Sequence, residues 1–381
     1  MVAFGGALMP YERRSYGLQW VDEVPRIPPI ITNSIVYLYQ DKDSADAGID
    51  AGASGFLLDE QSAASSNVRP IVRQDPSMIS KMREQHFADA KAALELFNKD
   101  RGAANSLITF RDVSEHHLKH CHHIYVVTNK HVIAGDFPCP VVRMNLKHPG
   151  SGFERTYVIP FNQSDWVIDP NNDLAVCMLP PDFNPAIVNF SVISRSAVMS
   201  EKDFREQDIG PGDEVFYVGR FMGHAGRYEN MPSVRFGNIS MNPNEREPIA
   251  WETKTRHHEQ VGFLVEARSR SGYSGSPVFF LNQHAVNNRR AVFPMLDVRL
   301  LGIDWGHLPE KIKLTTQGNP TVWQAEIHAG MMGVVPSWCL LDFIDTAPRL
   351  IQQRERDDDL YMELSDSIAK GIPDVLSDED A

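Results

Sequence analysis

No long apolar run interrupts the 381-residue sequence. No stretch of about 18 consecutive apolar side chains occurs, so no segment suits a membrane-crossing helix. The opening, MVAFGGALMPYERRSYG, lacks the charged start and apolar block of a secretion signal, so no leader is expected. Cysteine is scarce: Cys121, Cys139, Cys177 and Cys339 lie far apart without paired spacing. That pattern excludes a disulfide scaffold and suits free thiols in a reducing cytoplasm. Basic charge is short as well, with 37 Lys and Arg against 50 Asp and Glu and a formal net charge of −13. An acidic chain repels phosphate backbones, so nucleic acid is not an expected partner.

What is present is an ordinary core. Hydrophobic residues make up 42% and charged residues 23%, the mixture of a globular protein. Gly and Pro, at 25 each, suit many turns more than long helices. Short runs rich in Val, Ile, Phe and Tyr recur, bounded by Gly, Pro, Asn or Asp: SIVYLY (34–39), GFLL (55–58), HIYVVTN (123–129), DLAVCML (173–179), EVFYVGRF (214–221), GFLVEA (262–267), SPVFFL (276–281) and RLLGIDW (299–305). Strands of this length at short intervals predict a barrel or sandwich and exclude a βαβ layout. PPDFNP (180–185) breaks any element and divides the chain in two. The expected organisation is an N-terminal arm (1–32), a first β-unit (33–185), a second with a terminal helix (186–350), and a flexible acidic tail (351–381). From Arg354 on, that last segment holds ten acidic residues against three basic ones.

One segment departs from the β pattern. Asp75-Pro76 suits a helix start, and Ile79, Met82, His86, Ala90, Ala93 and Phe97 follow a helical period up to Gly102. An amphipathic helix is therefore expected within an insertion at about 60–120. Either it packs on the outside of the barrel, or it gates substrate or docks a partner.

Three motifs carry chemistry. In GYSGSP (272–277), glycines on both sides of Ser274 allow a tight turn that lifts the hydroxyl. Backbone N–H groups can then face a common point where an oxyanion would form. In VVTNKHVIAG (126–135), His131 ends a strand and opens a helical turn, a placement that suits a general base. In DPNNDLAVCML (169–179), Asp173 precedes a buried strand, where an ionised carboxylate needs a partner; His131 would be that partner. His131 and Asp173 fall in the first unit and Ser274 in the second, so a cleft between the units would unite them.

These residues resemble those of trypsin-like serine proteases, particularly the bacterial HtrA-type branch. TNKHVI is similar to that branch's histidine motif, NNDLAV to its aspartate motif, and GYSGSP to the G-N-S-G-G-P type. Weaker echoes cover most of 33–345. The resemblance implies an all-β fold of two perpendicular antiparallel barrels, here with an inserted helix and a C-terminal helix. It also implies a serine endopeptidase needing no cofactor or metal. Ser274 would be the nucleophile, His131 the base and Asp173 its orienting acid, with the oxyanion held by the N–H groups of Gly272 and Ser274. Arg268, Ser269 and Arg270 would include the wall of the primary specificity pocket, and Trp305-Gly306 would line the substrate strand. Arginines there would favour an acidic residue before the scissile bond.

Three features depart from the family. Tyr273 stands where Asp or Asn is usual, no PDZ module follows residue 345, and the insertion is atypical. The partners expected are a protein or peptide substrate and a regulatory protein that relieves latency, with no membrane. The rival expectation is a pseudo-protease that binds peptides without cutting them. HHLKHCHH (116–123) could pair His116 with His120 on a metal, but nothing nearby completes a site, so a solvated loop is expected there.

Overall fold

Each apolar run becomes a strand because both of its faces find cover. The computed structural model describes residues 27, 29–62, 122–147, 155–180, 183, 187–252, 257–267, 272–281, 298–316 and 319–371. The helix expected at 75–102, the pair His116 and His120, and Arg268 to Arg270 lie outside these residues.

The first unit is built from β1 (Ile35–Tyr39), β2 (Ala53–Gln61), β3 (His122–Thr128), β4 (Val141–Leu146), β5 (Thr156–Ile159), β6 (Val167–Ile168), β7 (Ala175–Met178), β8 (Val188–Asn189) and β9 (Ile193–Ser194). Their order in the sheet is β5-β4-β1-β2-β3-β7-β6, with β8 joined to β4 and β9 to β2. Every pairing is antiparallel except that of β9 with β2. Thus β8 and β9, beyond PPDFNP, still belong to the first sheet.

The second unit holds β10 (Glu214–Gly219), β11 (Ser233–Met241), β14 (Phe263–Ala267), β15 (Pro277–Leu281), β16 (Val298–Thr316) and β17 (Asn319–Pro336). These close into an antiparallel barrel in the order β10-β11-β14-β17-β16-β15. A separate hairpin, β12 (Ile249–Glu252) with β13 (His257–Gln260), leads into β14. The architecture is the two-barrel, chymotrypsin-like all-β arrangement.

Alternation along the first sheet explains why its strands read as unbroken apolar runs. Val36, Leu38, Leu57, Val126, Val142 and Cys177 point into its own core with Val132, Ile133 and Trp166. Tyr37, Tyr39, Phe56, Leu58, Tyr125 and Val127 point the other way, into a second core. There they meet Phe216, Val218, Phe279 and Leu300 of the barrel. The two units therefore share an apolar contact.

Among the described residues six α-helices decorate this frame: α1 (Pro29–Thr32), α2 (Lys42–Ala47), α3 (Lys130–Ala134), α4 (Glu201–Glu206), α5 (Ser337–Thr346) and α6 (Pro348–Gly371). None of the described helices is long and apolar enough to cross a membrane. α5 buries Leu340, Phe343 and Ile344 in the shared core, and Leu350 follows at the start of α6.

The segment from 351 to 371 is helix, a correction to the flexible tail expected there. Net charge alone had suggested solvation, but its charges are paired on one side. Arg354 donates to Tyr125 Oη at 3.1 Å and to Glu60 at 3.4 Å. Asp358 accepts from Ser62 and lies 3.0 Å from Nε2 of the buried His123. The histidine-rich stretch is corrected in part as well. His122 and His123 are not in a solvated loop but open β3, where His122 Nδ1 meets Asp59 at 2.8 Å. Cys139, Cys177 and Cys339 are free thiols, as expected, and Cys121 lies outside the described residues.

Candidate active site

The histidine is placed by a helix that lacks its own cap. Asn129 stands at the N-cap of α3 but makes no side-chain cap hydrogen bond. Its amide donates to the Asp173 carbonyl instead, at 3.0 Å. The orphan N–H of His131 must then find another acceptor. Asp173 supplies it: Oδ1 accepts from the His131 backbone N–H at 2.9 Å, and Oδ2 meets the ring Nδ1 at 2.7 Å. One carboxylate thus fixes both the backbone and the ring of the same residue.

The loop that carries Asp173 is itself held from several sides. Asp169 folds the loop before it, accepting from the N–H of Asn171 at 2.8 Å and of Asn172 at 3.2 Å. Lys130 of α3 donates to the Asp169 carbonyl at 2.9 Å. From the second unit, buried Gln260 accepts from the Asp173 N–H at 2.9 Å and donates to Asn172 at 3.0 Å. Gln260 carries no sequence signal, because its role depends on a residue 87 positions away.

The serine sits on a turn built by two glycines in left-handed conformation, Gly272 at φ 98° and Gly275 at φ 83°. The Ser276 N–H closes the turn onto the Tyr273 carbonyl at 2.8 Å. Gly275 and Ser276 then exchange backbone bonds with Asp304 on β16, both at 2.9 Å.

Ser54 on β2, fully buried, ties the turn to the first unit. Its N–H donates to the Ser274 carbonyl at 3.0 Å and its hydroxyl to the Gly272 carbonyl at 2.8 Å. The same hydroxyl accepts from the Arg220 N–H at 2.8 Å, and Thr128 donates to the Ser54 carbonyl at 2.8 Å. Sequence reading missed Ser54 as well. Only the pairing of two distant segments makes it a junction.

Tyr273 points away from the cleft into the barrel and is wholly buried. Its hydroxyl meets Ser233 and accepts from Arg235 Nε at 2.7 Å, while its ring stands edge-on to Tyr217. The departure seen at this position is therefore an internal anchor for the serine turn.

His131, Asp173 and Ser274 line one cleft of about 590 Å³, together with Trp305, Gln260, Cys139, Asp50 and the strongly exposed Phe137. Gly306, the other residue expected along the substrate strand, follows Trp305 on β16 at φ 141° and does not line the cleft. Among the described residues the N–H groups of Gly272 and Ser274 have no acceptor, and nor has His131 Nε2. No hydrogen bond yet joins Ser274 Oγ to His131, a contact that commonly tightens only when substrate binds.

Burial lowers the pKa of His131, but the charge and hydrogen bond of Asp173, helped by Asp304, outweigh it and raise the value above 6.5. A base must be neutral to accept a proton. Any reaction through His131 is therefore expected to accelerate with rising pH, with a midpoint above 6.5. Fluorophosphonate labelling rates measured across about pH 5 to 9 check this. A midpoint at or below the free imidazole value would contradict the coupling to Asp173. The same raised pKa stabilises the fold below about pH 6.5, and that contribution is lost as pH rises through the folded value.

No family model matches the sequence, and no curated protein matches it. Solved structures do. HBP, known at atomic resolution, matches with 9% identity and a TM-score of 0.38 over 84% of this chain and 93% of that one. The Rv3671c protease in an inactive form matches with 15% identity and a TM-score of 0.30 over 60% of this chain and 84% of that one. A serine-to-alanine variant of Rv3671c from M. tuberculosis H37Rv gives 14% and 0.29 over 59% and 79%. Likeness at this level says nothing about individual residues.

Proposed function

We propose that this protein is a trypsin-like serine endopeptidase. The observation that carries the reading is the double hold of Asp173 on His131, which leaves Nε2 as the free ring nitrogen in the cleft that Ser274 also lines. In the proposed reaction His131 Nε2 takes the Ser274 hydroxyl proton as Oγ adds to the scissile carbonyl. Asp173 keeps the tautomer and stabilises the imidazolium. The N–H groups of Gly272 and Ser274, free of internal acceptors, receive the oxyanion. His131 then protonates the departing amine. A water repeats the sequence on the acyl-enzyme, and release of the acid restores Ser274.

Sequence likeness favours a protein or peptide substrate and the HtrA-type branch. A regulatory partner that completes the Ser274–His131 contact remains part of the proposal. The test is covalent labelling by a fluorophosphonate probe, with the modified residue located by peptide mass spectrometry. Modification confined to Ser274 is the expected result. An unmodified Ser274, with and without candidate partners, would favour a peptide-binding pseudo-protease.

A further inference from the structure

Two arginines are buried near the junction of the units, and the fold treats them differently. Arg143 on β4 is wholly buried and fully engaged. Its Nε donates to Asn230 at 2.9 Å, its terminal nitrogens reach the carbonyls of Ala45 at 3.2 Å and Gly226 at 3.0 Å, and its guanidinium lies over the Tyr39 ring. Arg220, directly after β10, is 7% exposed. Among the described residues its side chain makes no hydrogen bond and no ion pair, and Nε is buried without a partner.

Arginine cannot shed its proton to escape burial. An unpaired buried cation is among the costliest features a fold can keep. Arg143 demonstrates that this fold can satisfy such a group where only structure is at stake. A rule broken at one place and obeyed close by points to function at the place where it is broken.

The position of Arg220 tells what that function concerns. Nη1 lies 3.0 Å from where a Cβ on Gly272 would stand, so the guanidinium ends against the serine turn. Its foremost electrostatic neighbours are the buried Tyr39 and Tyr37, followed by Cys139 and Asp50, which line the cleft. Asp50 forms no ion pair with it. A planar guanidinium with free donors takes a carboxylate by paired, charge-assisted hydrogen bonds.

We propose that Arg220, which ends against Gly272 behind the serine turn and does not itself line the cleft, is an anion-recognition residue that binds a carboxylate of the peptide substrate beside the scissile bond. The proposal rests on the protease reading for the identity of the ligand, but the anion site itself does not. It differs from the acid recognition expected of Arg268 and Arg270, residues on another segment. Asp50, Asp136 and Glu259 line the cleft. They disfavour acidic residues elsewhere, so recognition is confined to one substrate position.

Two measurements on the full chain test this. In the first, thermal unfolding of the Ser274→Ala protein is followed in sodium acetate and in sodium chloride at equal ionic strength, with and without Arg220→Gln. Acetate should raise Tm by a few degrees only where Arg220 is present. Equal responses in both proteins would overturn the anion site, whether or not the chain proves to be an enzyme. In the second, active protein digests a mixed peptide library and the cleavage sites are read by mass spectrometry. Asp or Glu should be enriched at one position, with Arg220→Gln cutting that preference about tenfold. The position separates an acidic side chain from a C-terminal carboxylate. Cleavage with no acidic preference, or with a preference unchanged in Arg220→Gln, would overturn the substrate assignment. A wild-type chain that fails to label at Ser274 counts against the protease reading instead, and the acetate result then decides the anion site alone.

Discussion

Ser274→Ala and His131→Ala are each expected to reduce peptide hydrolysis by roughly 10⁴- to 10⁶-fold, and the double variant by no more than either single change. In the proposed reaction the two side chains act in one step: without the hydroxyl no acyl-enzyme would form, and without the imidazole the hydroxyl would keep its proton. Ser274→Ala should leave folding undisturbed, and His131→Ala should cost only the stabilisation that its ring gains from Asp173 at low pH. Ser274 is held through its carbonyl by Ser54, and His131 through its backbone N–H by Asp173, and both bonds survive truncation to alanine. Cleavage of a fluorogenic casein substrate, alongside thermal unfolding, would check both halves. Retained hydrolysis in Ser274→Ala with an unchanged Tm would mean that another group carries the activity.

The second large effect is expected at Gly275. A Cβ there would stand 2.2 Å from the Ser54 carbonyl and 2.2 Å from Thr128 Oγ1, both in the first unit. The residue is also left-handed, at φ 83°, where a side chain is strained whatever the space. Gly275→Ala must therefore push the serine turn away from β2, loosening the bond from the Ser54 N–H to the Ser274 carbonyl. We expect a loss of about 3 kcal/mol or more in stability and at least a hundredfold loss in fluorophosphonate labelling, about 2.7 kcal/mol in rate terms. Gly212→Ala is the matched control. Its φ of 102° carries the strain, but nothing lies within 4 Å of the added carbon. That variant should lose about 1–2 kcal/mol and label normally. Equal behaviour of the two would show that strain, and not the contact between the units, dominates at Gly275.

These residues also mark how far the sequence could be read. The strands were legible because a residue's burial in a sheet follows from its nearest neighbours. IVYLY is apolar throughout because both of its faces are covered, and the run itself declares it. His131, Asp173 and Ser274 were legible because each sits in a local pattern of glycine, helix start or strand start. Charge was a poorer guide. The acidic stretch from 351 reads as solvated until the partners of Arg354 and Asp358 are seen on Glu60, Tyr125 and Ser62.

Tyr273 lies between these cases. Its sequence position identifies it as unusual, but whether it faces the cleft or the barrel depends on Arg235 and Ser233, on a different strand.

By itself, then, the sequence determined an acidic, all-β chain of two units, with a serine, a histidine and an aspartate in motifs suited to acyl transfer. The tertiary structure decided the rest: Asp173 as the surrogate cap of α3, Gln260 and Ser54 as the ties between the units, the inward turn of Tyr273, and an Arg220 side chain buried with no hydrogen bond or ion pair among the described residues. The reason is range. Strand and turn preferences act over a few residues, whereas Ser54 meets Gly272 across 218 positions and Arg143 meets Asn230 across 87. Hydrogen bonds over such distances leave no periodicity in the sequence, and whether a buried charge has found its partner is settled only when the chain closes around it.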